Sequence, residues 1–172
     1  MDFSRLNATR VLVGGAAAIL LILAILFLPW YELDTNPQRE GSARNNPDFN
    51  GDAFICGAGE FECTGFETFP ILRWLLLAAA LAPLILAYIL VRGHKLSWAP
   101  GEATMIVGFT AFMLIAYNGI VDRPGATVAE TGNSIEFGYW LALLAAFLIA
   151  ATGFTRSLES GGRKARSAPG TV

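Results

Sequence analysis

The sequence predicts an all-α fold: a four-helix transmembrane bundle with a disulfide-stapled first exterior loop. Three observations predict it. Apolar residues make up 54% of the 172-residue chain and charged ones 15%, a balance too apolar for an ordinary soluble domain. Four long apolar runs alternate with polar segments along the chain. The chain's two cysteines, Cys56 and Cys63, both fall in the longest of those polar segments.

Residues 1–10 form a short polar N-terminus. The first span covers residues 11–30, VLVGGAAAILLILAILFLPW, with no charge throughout. As a helix it would reach about 30 Å, the thickness of a bilayer's hydrocarbon core. Arg5 and Arg10 precede it as they would a secretory signal. The run is nevertheless long for such a signal and ends in Phe27-Leu-Pro-Trp-Tyr-Glu32 without a small-residue cleavage pattern, which predicts an uncleaved span. Gly14 to Ala18 form a cluster of small residues suited to close helix packing. Residues 31–70 read as an exterior loop rich in Gly, Asn, Pro and acids.

The second span covers residues 71–91, with Pro83 predicted to kink it and Arg73 placed to snorkel toward headgroups. A turn over residues 92–100 leads to the third span, 101–121, where Pro100 and Glu102 suit a first helical turn. Residues 122–135 form a second exterior loop. Asn133 and Glu136 have capping-box spacing at the start of the fourth span, 136–154. The Gly- and Ser-rich remainder, 155–172, reads as a disordered basic tail.

Charge sets the expected orientation. Arg5, Arg10, Arg92, Lys95, Arg156, Arg163, Lys164 and Arg166 share one side, and only Arg39, Arg44, Arg73 and Arg123 lie on the other. The positive-inside rule therefore predicts both termini in the cytoplasm of a plasma membrane. Trp30, Tyr31, Trp74, Tyr139 and Trp140 then fall at the outer boundary, where an aromatic belt belongs; Tyr88 and Trp98 mark the inner one.

Candidate chemistry is sparse. One histidine and two cysteines exclude a bis-histidine haem site and the usual four-ligand zinc sites within one chain. In an oxidising compartment Cys56 and Cys63 are expected to close a small loop. Asp48, Asn50 and Asp52 have the alternating oxygens of a cation loop, with Glu60 and Glu62 as further ligands, although Ala53 and Gly59 occupy the positions where such loops carry Gly and Glu. No ionisable residue falls deep in a span, which argues against ion-coupled transport and proton pumping. Thr110, Tyr117 and Asn118 remain as an intramembrane polar site.

Trp30, Gly51, Cys56 and Cys63 follow the layout of claudin-type four-span proteins, which this chain resembles in topology alone, since Asp52 and Ala53 stand where that pattern has Leu and Trp. A broader resemblance is to small four-span membrane proteins of actinobacterial type. It rests on Phe27-Leu-Pro-Trp-Tyr31, Gly65-Phe-Glu-Thr-Phe69 and Phe137-Gly-Tyr-Trp140. That resemblance implies a bacterial multi-pass topology without an activity.

The resulting expectation is a non-enzymatic accessory or interaction subunit, with the bilayer and another membrane protein, met through residues 31–70, as partners. A small-solute or lipid-binding bundle and a thiol oxidoreductase using Cys56 and Cys63 are the alternatives. No metal, cofactor or nucleic-acid partner is expected.

Overall fold

The computed structural model describes residues 8–33, 62–92, 100–121 and 133–166. The order of elements is α1 (Ala8–Phe27), β1 (Pro29–Leu33), β2 (Glu62–Thr64), α2 (Gly65–Thr68), α3 (Leu72–Val91), α4 (Pro100–Ala116) with a π-helical turn (Tyr117–Val121), β3 (Asn133–Ile135) and α5 (Phe137–Arg166). Three of the described helices are long and apolar enough to cross a membrane: Leu72–Ile89, Gly101–Val121 and Phe137–Leu158.

Several expectations are corrected. The fold is mostly helical, as expected, but not purely so, because β1 lies between β2 and β3 in a small antiparallel sheet. The segments expected as loops thus carry β2, α2 and β3. Helix α1 stops at Phe27 and leaves Val11–Phe27 as a shorter apolar helix. Pro29 explains this: it donates no amide proton, and it disfavours helical geometry at Leu28. At the other end of the chain, α5 continues to Arg166, so residues 155–166 of the expected disordered tail are helical. Pro83 lies inside α3, which runs through it from Leu72 to Val91; neighbouring helices make such a proline tolerable in lipid.

Each long helix packs against two others: α1 on α3 and α5, and α4 on α3 and α5. The α4–α5 seam is the most extensive. On α4, Gly101, Thr104, Gly108, Ala111 and Ile115 are buried, a spacing of three and four that keeps one face toward its partner. The matching face of α5 buries Ala142, Ala145, Ala146, Ile149, Thr152 and Gly153. These small residues allow backbone-to-backbone approach. A methyl group added at Gly101 would lie 2.6 Å from the Ser157 amide nitrogen, and one at Gly153 would meet Met105 Cα at 2.7 Å. On α1, Gly14 faces Thr152, whose hydroxyl donates to the Leu148 and Ile149 carbonyls. The small cluster of α1 therefore packs within the chain.

Large side chains point the other way. Leu12, Ile19, Leu23, Leu75, Leu81, Ile85, Ile106, Phe109, Met113, Leu144, Phe147 and Phe154 are all exposed. In water so much apolar surface is an association site. Around span-length helices it is the surface that acyl chains cover. Lipid gives apolar helix faces no hydrophobic reason to associate, so close van der Waals packing of small residues holds the interior together.

Gly153→Ala should lower the apparent melting temperature in detergent micelles, at a cost of about 1–3 kcal/mol, because the new methyl has only backbone to displace. Gly15→Ala, whose methyl meets only Leu84 Cδ2 at 3.9 Å, should melt with the parent chain. Circular dichroism of the two variants checks the contrast.

Candidate functional site

The sheet covers one end of the helices, and beneath it lies a cluster of buried aromatic rings. Its construction begins where α1 ends. The last four carbonyls of a helix lack intrahelical partners, and Ala24 supplies one of them. The Trp30 indole N–H turns back and donates to the Ala24 carbonyl at 2.8 Å. The register of β1 makes this possible. Pro29 pairs with Thr64 and Tyr31 with Cys63, so Trp30 is an extra residue in the strand. Such a bulge lets consecutive side chains face the same way, and both Trp30 and Tyr31 are fully buried.

The other elements close around these two rings. Trp30 meets Phe69 edge-on at 6.0 Å and Tyr139 at 5.7 Å. Tyr31 contacts the same two rings at 6.3 and 6.2 Å. Each such pair contributes about 0.5–1.5 kcal/mol beyond burial. The Tyr139 hydroxyl donates to the Ile115 carbonyl at 3.2 Å, just before the π-helical turn. Three glycines make room: an added methyl would strike Trp30 at Gly65, Tyr139 at Gly119, and the Leu28–Pro29 backbone at Gly138. The Glu136 amide donates to the Trp30 carbonyl at 2.9 Å and ties the start of α5 to the bulge.

Five residues were expected in one interfacial aromatic belt. Trp30, Tyr31 and Tyr139 instead form the core of this end, while Trp74 and Trp140 are exposed. The capping box also sits elsewhere. Thr64 and Glu67 form it at the start of α2: Glu67 Oε2 accepts from the Thr64 amide at 3.0 Å and hydroxyl at 2.9 Å, and Thr64 Oγ1 accepts from the Glu67 amide at 3.3 Å. Asn133 lies in β3, and Glu136 accepts from the Ser134 hydroxyl at 2.9 Å while its amide serves the sheet. The helix therefore opens after Glu136.

The outward face of the sheet is acidic. Glu32 pairs across strands with Glu62 on one side and Ser134 on the other, and all three are exposed. Asp48, Asn50, Asp52, Glu60 and Cys56 lie outside the described residues. Among the described residues, no group of three or more His, Cys, Asp or Glu is placed to hold a metal ion. Cys63 is fully buried beside Tyr31, and no described cysteine is free.

The three intramembrane polar candidates do not converge. Thr110 and Tyr117 are exposed on the outer surface of α4 and its π-helical turn. Asn118 spends its amide within its own helix, donating to the Leu114 carbonyl at 2.9 Å. This local bond competes well wherever a side-chain amide lies near a carbonyl four residues back. Among the described residues the buried threonines are Thr104, Thr152 and Thr68. Thr68 donates to the Thr64 carbonyl at 2.7 Å and holds the turn into α3.

No family model, curated protein or solved structure matches this chain.

Trp30→Phe should destabilise the folded chain by about 1–3 kcal/mol, because it leaves the buried Ala24 carbonyl without its donor. Tyr139→Phe should cost less, about 0.5–1.5 kcal/mol, given its longer bond. Trp140→Phe, at an exposed position, is the control. Unfolding midpoints in mixed micelles titrated with sodium dodecyl sulfate report all three; equal midpoints for the Trp30 and Trp140 variants would contradict the role given to the indole.

Proposed function

We propose that this chain is a multi-pass membrane protein of a bacterial plasma membrane, a four-helix transmembrane bundle with both termini in the cytoplasm. It acts as a non-enzymatic accessory or interaction subunit and meets another membrane protein through residues 31–70. The observation that carries this reading is the division of labour between faces. Small residues fill the described helix–helix seams, large apolar side chains cover the outside, and an aromatic core holds a polar sheet at one end.

In this reading α1 is the fourth span, completed at its end by the Leu28–Trp30 turn instead of by further helix. Asymmetry of Lys and Arg supports the orientation. It places the acidic sheet outside, where a Cys56–Cys63 bridge is stable. Complete burial of Cys63 favours a structural staple over a thiol that exchanges with substrates, since exchange needs access to the sulfur.

Protease-cleavable tags at Met1 and Val172 should stay intact when protease is added outside whole cells. A photo-crosslinking residue at Glu32 or Glu62 should give one recurring protein adduct in native membranes, whereas one at Phe154 should give lipid adducts alone. Cleaved tags would overturn the orientation, and head positions that yield no protein adduct would overturn the subunit role.

A further inference from the structure

Arg73 is the second residue of α3, at the sheet-capped end of the span Leu72–Ile89. Its guanidinium lies in a corner between two rings, 4.7 Å from the centre of Phe66 and 5.5 Å from that of Trp74. The rings themselves meet edge-on at 5.6 Å. Nη1 donates to the Phe66 carbonyl at 3.4 Å, the one hydrogen bond the side chain makes among the described residues; Nε is covered and makes none there. The nearest acid in sequence, Glu67, is committed to Thr64. Among the described residues, no carboxylate neutralises the charge of Arg73.

Its surroundings decide what neutralises it. Ile71 is 78% exposed, Trp74 59% and Leu75 54%, so the corner opens onto the apolar outer surface at the point where α3 begins. An arginine that only reaches water needs no fixed setting. Arg92, at the far end of the same helix, has the simpler form: it is exposed and stacks on Tyr88 alone, at 5.0 Å. At Arg73 two rings and a carbonyl fix the planar fork, and a fixed fork favours the paired oxygens of a phosphate.

We propose that Arg73, held in the corner of Phe66 and Trp74, binds the phosphodiester of an anionic lipid headgroup. This rests on reading α3 as a membrane span. The bound phosphate supplies the missing counter-charge, the lipid's acyl chains lie along Ile71 and Leu75, and Trp74 marks the headgroup boundary.

The test uses the full chain in nanodiscs of mixed phosphatidylglycerol and phosphatidylcholine, with bromine on the acyl chains of one lipid at a time. The Trp74 signal is taken as the difference between the parent chain and Trp74→Phe. Brominated phosphatidylglycerol should quench Trp74 more strongly, reflecting about fivefold local enrichment over phosphatidylcholine. Arg73→Gln should abolish the preference, and Arg73→Lys should keep part of it. Equal quenching by the two lipids in the parent chain overturns the proposal without recourse to a variant. Inorganic phosphate that shifts Trp74 emission in lipid-free micelles, with no shift in Arg73→Gln, would assign the corner to a free anion and overturn the lipid. A chain that does not enter the nanodisc would defeat the membrane reading itself.

Discussion

One hydrogen bond organises this molecule: the Trp30 indole on the Ala24 carbonyl. A helix that stops at the edge of an apolar layer leaves carbonyls with neither water nor chain to satisfy them, and each such group is costly in lipid. Pro29 forces the stop, and Trp30 repairs it within the same turn. To reach back, Trp30 must occupy the bulge in β1. The bulge brings Tyr31 to the same side, and two adjacent rings then require Phe69 and Tyr139 to close over them. Gly65, Gly119 and Gly138 stand where those rings leave no room for a side chain. Every described element either touches this cluster or is positioned by one that does.

Away from that end the molecule is held by a different device. The α4–α5 seam depends on glycines and alanines that let backbones meet, and its buried polar side chains are hydroxyls, of which Thr152 is satisfied by its own helix. Such an interior is well suited to holding shape, because close backbone contact leaves little room for rearrangement. Helix α3 is the lighter participant. It buries Leu72, Leu76, Ala80 and Pro83, and no residue from Leu84 to Ile89 is fully buried. Of the three span-length helices it is the least buried.

The long helices were legible because span length and lack of charge are properties of contiguous sequence. Leu72–Val91 and Pro100–Val121 follow the expected bounds to within a residue at each end. The capped end was not legible, because its pairing joins residues 29–33, 62–64 and 133–135, and no local period announces contacts that distant. Trp30, Tyr31 and Tyr139 were misplaced for a related reason. An aromatic residue at the end of a greasy run has the same local signature whether its ring faces headgroups or folds inward. Pro29 was the available signal for the early stop of α1; its full weight as a helix terminator points to Phe27. The continuation of α5 past Phe154 had no strong propensity behind it, given Gly153, Gly161 and Gly162.

The order of strands across the sheet, β2-β1-β3, has a consequence for biogenesis. Its central strand is synthesised first and its last neighbour about a hundred residues later, which is roughly 5–20 s of translation. Through that interval, in which α3 and α4 are made, one edge of β1 has no partner strand from this sheet. Closure of the sheet therefore waits for β3, the last of its strands to be made, which lies directly before α5.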